Sequence, residues 1–155
     1  MESQRIYLDT SVLGGCFDPE FAWWSNGLMD DFRETRYSPV VSDLLSEETV
    51  HAPEPVRALY SELLILGAEY VQVDTTALDL LNAFEAHHVL GPKYRADMLH
   101  IALACVARVD TLVSWNFKHI VRFDKIRLFN AVAVDQGYRA LKIHSPRQVT
   151  TRESR

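Results

Sequence analysis

The chain has 155 residues, 48 % of them apolar and 24 % charged, with a net charge of −5. That is an ordinary soluble globular balance at a length that buries one sizeable core. The longest apolar runs are far too short to cross a bilayer as a helix.

A net negative charge argues at first sight against a nucleic-acid partner, but the charge is unevenly spread. Residues 1–92 hold 4 Lys/Arg against 16 Asp/Glu, a net −12, whereas residues 93–155 hold 12 against 5, a net +7. Such asymmetry marks a nucleic-acid site or an interface between acidic and basic partners, unless the two parts interleave in space. The opening Met1-Glu2-Ser3-Gln4-Arg5 has no basic stretch followed by an apolar segment, so no secretory leader is expected. Cys16 and Cys105 sit in apolar surroundings without metal-ligand spacing. They are expected to be reduced, buried thiols of a cytoplasmic protein.

In chain order, Arg5 to Leu8 reads as a short strand ending at Asp9-Thr10-Ser11, with Gly14-Gly15 breaking the chain beyond it. Phe21, Trp24, Leu28, Met29 and Phe32 recur at helical spacing, predicting a helix from Glu20 to about Thr35. Tyr37 to Val41 reads as a second strand, capped at Ser42-Asp43 by a short helix that carries Glu47 and Glu48 and stops near Pro53. Pro55 opens a helix from Val56 to Leu66, with Gly67 as its stop. Tyr70 to Val73 is a third strand, and Asp74-Thr75 leads into a helix reaching about His88. Gly91-Pro92 breaks that helix. Arg95 to about Arg108 is apolar nearly all round and therefore predicted as buried. Thr111 to Ser114 is a fourth strand, Lys118 to Phe123 a short helix, and Leu141 to His144 a last strand.

There is no repeat, low-complexity segment or linker, so residues 1–150 read as a single domain with 151–155 as a C-terminal tail. Short strands alternating with helices imply a three-layer α/β/α fold around a short-stranded, mainly parallel sheet. Function in such sheets sits beyond the carboxyl ends of the strands.

What stands at those ends is acidic. Asp9 follows the first strand, Glu47 and Glu48 lie about one helical turn past the second, and Trp115-Asn116 follows the fourth. Asp97 opens the buried helix, where a carboxylate is costly unless paired or on a metal, although a helix-start acid also suits the macrodipole. Oxygen ligands of this kind suit a hard divalent cation such as Mg²⁺. Gly14-Gly15 has no Lys-Ser/Thr behind it, so no phosphate-cradling loop is present and the acids would not serve a bound nucleotide. Asn116 reads either as a water- or phosphate-holding amide or as a turn residue bonded to its own backbone. His100, three residues after Asp97, reads as a packed helix histidine. The pair Trp23-Trp24 reads as core or dimer surface.

Four blocks together resemble the PIN-domain family, most closely its VapC-toxin type. They are Tyr7-Leu8-Asp9-Thr10-Ser11-Val12; Val40 to Glu48; Asp97-Met98-Leu99-His100-Ile101-Ala102-Leu103-Ala104; and Leu112 to Ile120. The resemblance implies Asp9, Glu48 and Asp97 as acids holding Mg²⁺ or Mn²⁺, with Glu47 the one-residue alternative to Glu48. Asn116 falls at the closing polar turn, where such proteins often carry a fourth acid, so one firmly held metal is the expectation. Thr10 and Ser11 are expected in support.

The implied function is a metal-dependent endoribonuclease, possible toxin of a toxin–antitoxin pair, homodimeric and blocked by a small antitoxin protein. The cation would lower the pKa of a bound water and stabilise charge on the phosphate. Arg95, Lys118, Arg122, Lys125 and Arg127 are expected to contact RNA phosphates. The alternative is a catalytically weak or inactive module that binds RNA or a protein partner. A phosphatase using Asp9 as nucleophile wants a second Asp two residues on, and position 11 is Ser.

Overall fold

The computed structural model describes residues 3–154, so positions 1, 2 and 155 of the expected leaderless start, domain and tail lie outside it. It is an α/β protein with five parallel strands in the order β3-β2-β1-β4-β5. The strands are β1 (Gln4–Leu8), β2 (Tyr37–Ser42), β3 (Glu69–Val71), β4 (Thr111–Val113) and β5 (Lys142–His144). Between and after them run α1 (Thr10–Gly15), α2 (Ala22–Arg33), α3 (Asp43–Thr49), α4 (Glu54–Ile65), α5 (Thr75–Ala86), α6 (Arg95–Val106), α7 (Phe123–Asp135) and α8 (Pro146–Val149).

Strand residues alternate between the two faces, and the in-register row Val40–Tyr7–Leu112–Ile143 defines one of them. All four are buried with Leu80, Leu81 and Phe84 of α5, Met98 and Ile101 to Ala104 of α6 and Phe129 of α7. On the other face Ile6, Leu8, Val41 and Val113 bury against Val12 and Leu13 of α1, Leu28, Met29 and Phe32 of α2, and Tyr60 and Leu63 of α4. That double cover is the three-layer arrangement expected of a parallel sheet of near-continuous apolar strands. Pro39 sits in β2 without breaking the ladder. It pairs with Ile6 at a point where β3, which begins opposite Val40, has not yet started.

Three sequence expectations are corrected. Gly14 and Gly15 do not break the chain. Both lie inside α1, which continues directly from Asp9. Residues 118–122 form turns and not a helix, and the helix begins at Phe123 and runs to Asp135. Its core stripe of Phe129, Val132 and Ala133 is blurred in sequence by the exposed apolar residues Phe123, Leu128 and Val134, and Arg122 supplies no capping side chain. β3 is also shorter than expected. It stops at Val71 because the Asp43 carboxylate, not a neighbouring strand, takes the Val73 N–H at 2.8 Å.

Residues 150–153 lie on α2. The fully buried Asp31 carboxylate accepts from the Thr150 hydroxyl at 2.8 Å, from the Thr151 N–H at 3.0 Å and from the Thr151 hydroxyl. Arg36 pairs with it from outside at 2.7 Å. Trp23 donates to the Glu153 carbonyl under the Arg152 guanidinium, and Trp24 lies under Arg147, so the tryptophans anchor the C-terminal segment. Cys16 and Cys105 are free and buried, and burial pushes their thiols up to about 11 and about 12. No helix among the described residues is long and apolar enough to cross a membrane.

Candidate metal centre at the strand ends

Because all five strands are parallel, β1, β2 and β4 deliver their following residues to one edge. Asp9 stands first after β1, its N–H bonded to the Val113 carbonyl at 3.4 Å. Asp9 as a whole is 5 % exposed, a buried acid. Ser11 donates to Oδ1 at 2.6 Å and Ser114 to Oδ2 at 2.5 Å. Each of these hydroxyls in turn accepts a backbone N–H, from Trp115 and Asn116 respectively, both at 2.9 Å. The turn after β4 is thus tied to the turn after β1 through Asp9. No Lys or Arg among the described residues reaches this carboxylate. Burial pushes it above the usual carboxylate range, and the nearby His100 ring and the two serine hydroxyls offset only part of that rise.

Glu48 approaches from α3, a helix started by Ser42, whose side chain accepts from the Leu45 N–H at 3.2 Å. Its Oε1 accepts from Thr10 at 2.6 Å and meets His100 Nε2 at 2.6 Å. Partial burial works against ionisation, yet the bonds from His100 and Thr10 hold Glu48 below its ordinary value. Glu47 is exposed and makes no side-chain hydrogen bond among the described residues, so of the two glutamates only Glu48 joins the cluster.

Asp97 sits in the first turn of α6, half-buried, and accepts from Asn116 Nδ2 at 3.3 Å. Burial raises it, against the pull of His100, His119 and Asn116, and Glu48 adds to the rise. Asn116 behaves as the turn residue that its sequence offered as one reading. Its Oδ1 takes the His119 N–H at 2.9 Å as a turn residue does, while its amide points at Asp97.

The structure therefore brings Asp9, Thr10, Ser11, Glu48, Asp97 and Asn116 to one edge. The expected phosphate contacts fare differently. Lys118 is exposed beside Asn116. Arg95 pairs with Glu85, Arg122 with Asp124 at 2.7 Å, Lys125 donates to the Val89 carbonyl at 2.9 Å, and Arg127 lies over the Phe123 ring.

Sequence reasoning gave no site role to Tyr7, Ser114 or Trp115, read Ser42 only as a cap, and read His100 as a packed helix histidine. Ser114 and Trp115 carry a readable signal, a polar break in an apolar strand followed by a large aromatic. Tyr7 looks like any core residue, because nothing in sequence shows that its hydroxyl meets His100.

The donor set is one of carboxylate and hydroxyl oxygens with no thiolate, which suits a hard divalent cation. Among the described residues no three His, Cys, Asp or Glu side chains stand close enough together to grip one ion directly. The set therefore fits an ion that keeps most of its waters and takes one or two direct carboxylates, as Mg²⁺ does.

No family model and no curated protein matches this chain. Solved structures do match. VapBC2 from Rickettsia felis, bound to a DNA fragment from their promoter, is 12 % identical with a TM-score of 0.57, over 92 % of this chain and 98 % of that one. FitAcB from Neisseria gonorrhoeae is 14 % identical with a TM-score of 0.56, over 91 % and 97 %. At such identity the likeness is one of fold. The assignment to the PIN-domain family, drawn from four short blocks, is corrected accordingly, since no family match supports it. Such blocks are degenerate for a physical reason: a buried strand ending in an Asp turn and an apolar helix starting with an acid recur wherever a parallel sheet is covered on both faces. What stands is an α/β chain similar in fold to VapBC2 and FitAcB, with three carboxylates at one sheet edge.

Proposed function

We propose that this protein is an endoribonuclease that depends on Mg²⁺ or Mn²⁺ and hydrolyses RNA phosphodiester bonds at the Asp9–Glu48–Asp97 edge. The observation that carries this reading is Asp9, a buried carboxylate with hydroxyl donors on both oxygens and, among the described residues, no Lys or Arg to neutralise it, the nearby His100 ring offsetting only part of the cost. Buried charge left in that state is expensive, and a cation removes the cost. A divalent ion there supplies Lewis acidity, making a water nucleophilic near neutral pH and stabilising charge on the phosphate.

The protein's own part is positional. Ser11 and Ser114 lock both Asp9 oxygens, Thr10 holds Glu48, and the Asn116 amide, which bonds Asp97, would orient a water or a phosphate oxygen beside it. The acidic edge repels a polyanion until a cation is bound, so metal loading and RNA binding are coupled. Lys118, with Arg95, Arg122, Lys125 and Arg127 further out, contacts phosphates flanking the scissile one.

In this reading the protein acts in the cytoplasm as a homodimer and as the toxin of a toxin–antitoxin pair, held in check by a small antitoxin. The support for a partner is likeness of fold to VapBC2, bound to a DNA fragment from their promoter in its structure.

The test is cleavage of a labelled single-stranded RNA with Mn²⁺, Mg²⁺ or chelator, by wild type and Asp9→Asn. Metal-dependent cleavage lost in the variant supports the reading. A second reading, a catalytically weak or inactive module that binds RNA or a protein, draws on the lack of three directly converging ligands and on Asn116 at the closing turn. RNA binding without cleavage at any metal concentration would favour it.

A further inference from the structure

Behind Glu48 runs a buried line of hydrogen bonds: Ser42 Oγ to Tyr7 Oη at 2.8 Å, Tyr7 Oη to His100 Nδ1 at 2.7 Å, and His100 Nε2 to Glu48 Oε1 at 2.6 Å. Tyr7 is 0 % and His100 2 % exposed, so water satisfies none of the inner links. The direction of each bond follows from counting protons. Ser42 Oγ already accepts the Leu45 N–H, and its only other partner among the described residues is Tyr7. Its hydroxyl proton must therefore go to Tyr7 Oη. The Tyr7 proton then goes to His100 Nδ1, which leaves the proton of the ring on Nε2, facing the Glu48 carboxylate. Reversing the line would strand the Ser42 proton without an acceptor and, with Nε2 bare, set a lone pair against a carboxylate oxygen.

We propose that Ser42 and Tyr7 fix His100 as the Nε2–H tautomer, and that His100 is thereby a positioning residue holding the Glu48 carboxylate at the acidic edge. With Oε1 taken by His100 and Thr10, Oε2 is left for the ion or its water. That last step rests on the metal-dependent reading, whereas the proton order does not. The line also explains a tyrosine in the middle of an apolar strand: Tyr7 fills the core with its ring and uses its hydroxyl to orient a histidine on α6. Its hydroxyl is not an acid in reserve, because burial pushes its pKa far above the ordinary value. Groups that fix the orientation of a metal ligand in this way typically change metal affinity by about 10–100-fold.

The proton order is read on metal-free protein, by two-bond ¹H–¹⁵N correlation spectra of ¹⁵N-histidine-labelled wild type and Tyr7→Phe. Wild type should show His100 protonated at Nε2 only, and in the variant, where Nδ1 has lost its hydrogen-bond donor, the Nδ1 resonance should move toward that of an unbonded ring nitrogen. A wild-type ring protonated at Nδ1, or at both nitrogens, would overturn the proposal whatever the metal does. Mn²⁺ affinity is then compared in two His100 variants. His100→Gln reaches the Nε2 position and can still donate to Glu48; His100→Asn reaches only the Nδ1 position. The Gln variant should bind Mn²⁺ at least about tenfold more tightly than the Asn variant at similar thermal stability. Equal affinities would overturn the positioning role. If wild type itself binds no Mn²⁺, the metal-dependent reading fails and the spectra still decide the proton order.

Discussion

Two adjacent glycines in α1 offer an internal comparison of how the site is built. A Cβ on Gly15 would lie 2.6 Å from Trp115 Nε1, 2.7 Å from Ser25 Oγ and 2.8 Å from Trp115 Cδ1, whereas a Cβ on Gly14 meets nothing within 4 Å. These Gly15 neighbours cannot retreat freely. Trp115 donates to Ser25 at 2.8 Å, Ser25 donates to the Val12 carbonyl at 2.9 Å, and the Trp115 ring stacks on Phe21 at 4.1 Å. In Gly15→Ala, crowding a packed core costs about 1–3 kcal/mol. Weakening the buried Trp115–Ser25 bond costs about 1–3 kcal/mol more. The gain in helix propensity returns about 1 kcal/mol. The net loss is roughly 1–5 kcal/mol, or a Tm about 2–20 °C lower for a chain of this size.

Gly14→Ala should instead gain about 0.4–1 kcal/mol through the unfolded state. Because the Trp115 N–H bonds Ser11 and Ser11 bonds Asp9, Gly15→Ala should also weaken Mn²⁺ binding, while Gly14→Ala leaves it unchanged. Thermal unfolding of the two variants decides the matter. Equal stability would refute the close packing of α1 against Trp115 and, with it, the tie between the two turns.

Asp97→Asn should lower cleavage at least about 100-fold, since a proposed ligand should matter no less than the groups that orient one. Its Tm should hold or rise, because removing one of several neighbouring negative charges relieves repulsion. A marked loss of stability, read by the same melt, would assign Asp97 a structural role. Although burial alone would raise Asp31, its bonds from Thr151, Arg36 and Thr150 hold the carboxyl below 3.8. With the folded value depressed, its stabilisation is present above about pH 4 and is lost as pH falls through the folded value. Asp31→Asn should therefore be less stable than wild type by roughly 1–3 kcal/mol at pH 7, with the gap closing in denaturant titrations below pH 4. Lys118→Ala should lower the magnitude of the log–log salt slope of RNA binding by about 0.7. An unchanged slope would remove Lys118 from the phosphate contacts.

Much of the layout is legible from alternation alone. Strands that are apolar on both faces, separated by helical stripes, give a covered parallel sheet, and that rule delivers Asp9, Glu48 and Asn116 to one edge before any coordinates are known. Asp97 is legible because a carboxylate opening an otherwise apolar helix is conspicuous. Three things were not legible, each for its own reason. α7 hides because Phe123, Leu128 and Val134 put apolar side chains on its solvent face. Gly14-Gly15 looks like a break, whereas Gly15 is small because Trp115 occupies the space of its side chain. The line from Ser42 to Glu48 joins β2, β1, α6 and α3 through side-chain tips, a tertiary relation to which spacing along the chain is blind. The family resemblance failed on the opposite ground: its blocks record what any doubly covered parallel sheet demands at its strand ends.

The most direct test of the proposed metal centre is thermal unfolding of wild type and Asp9→Asn across a Mn²⁺ titration. If the ion binds the folded edge, wild type at about 100 times the dissociation constant gains about 2.7 kcal/mol. That corresponds to a Tm about 5–10 °C higher. Asp9→Asn should show no such rise. A flat titration in wild type, or the same rise in the variant, would contradict a metal centre built on Asp9.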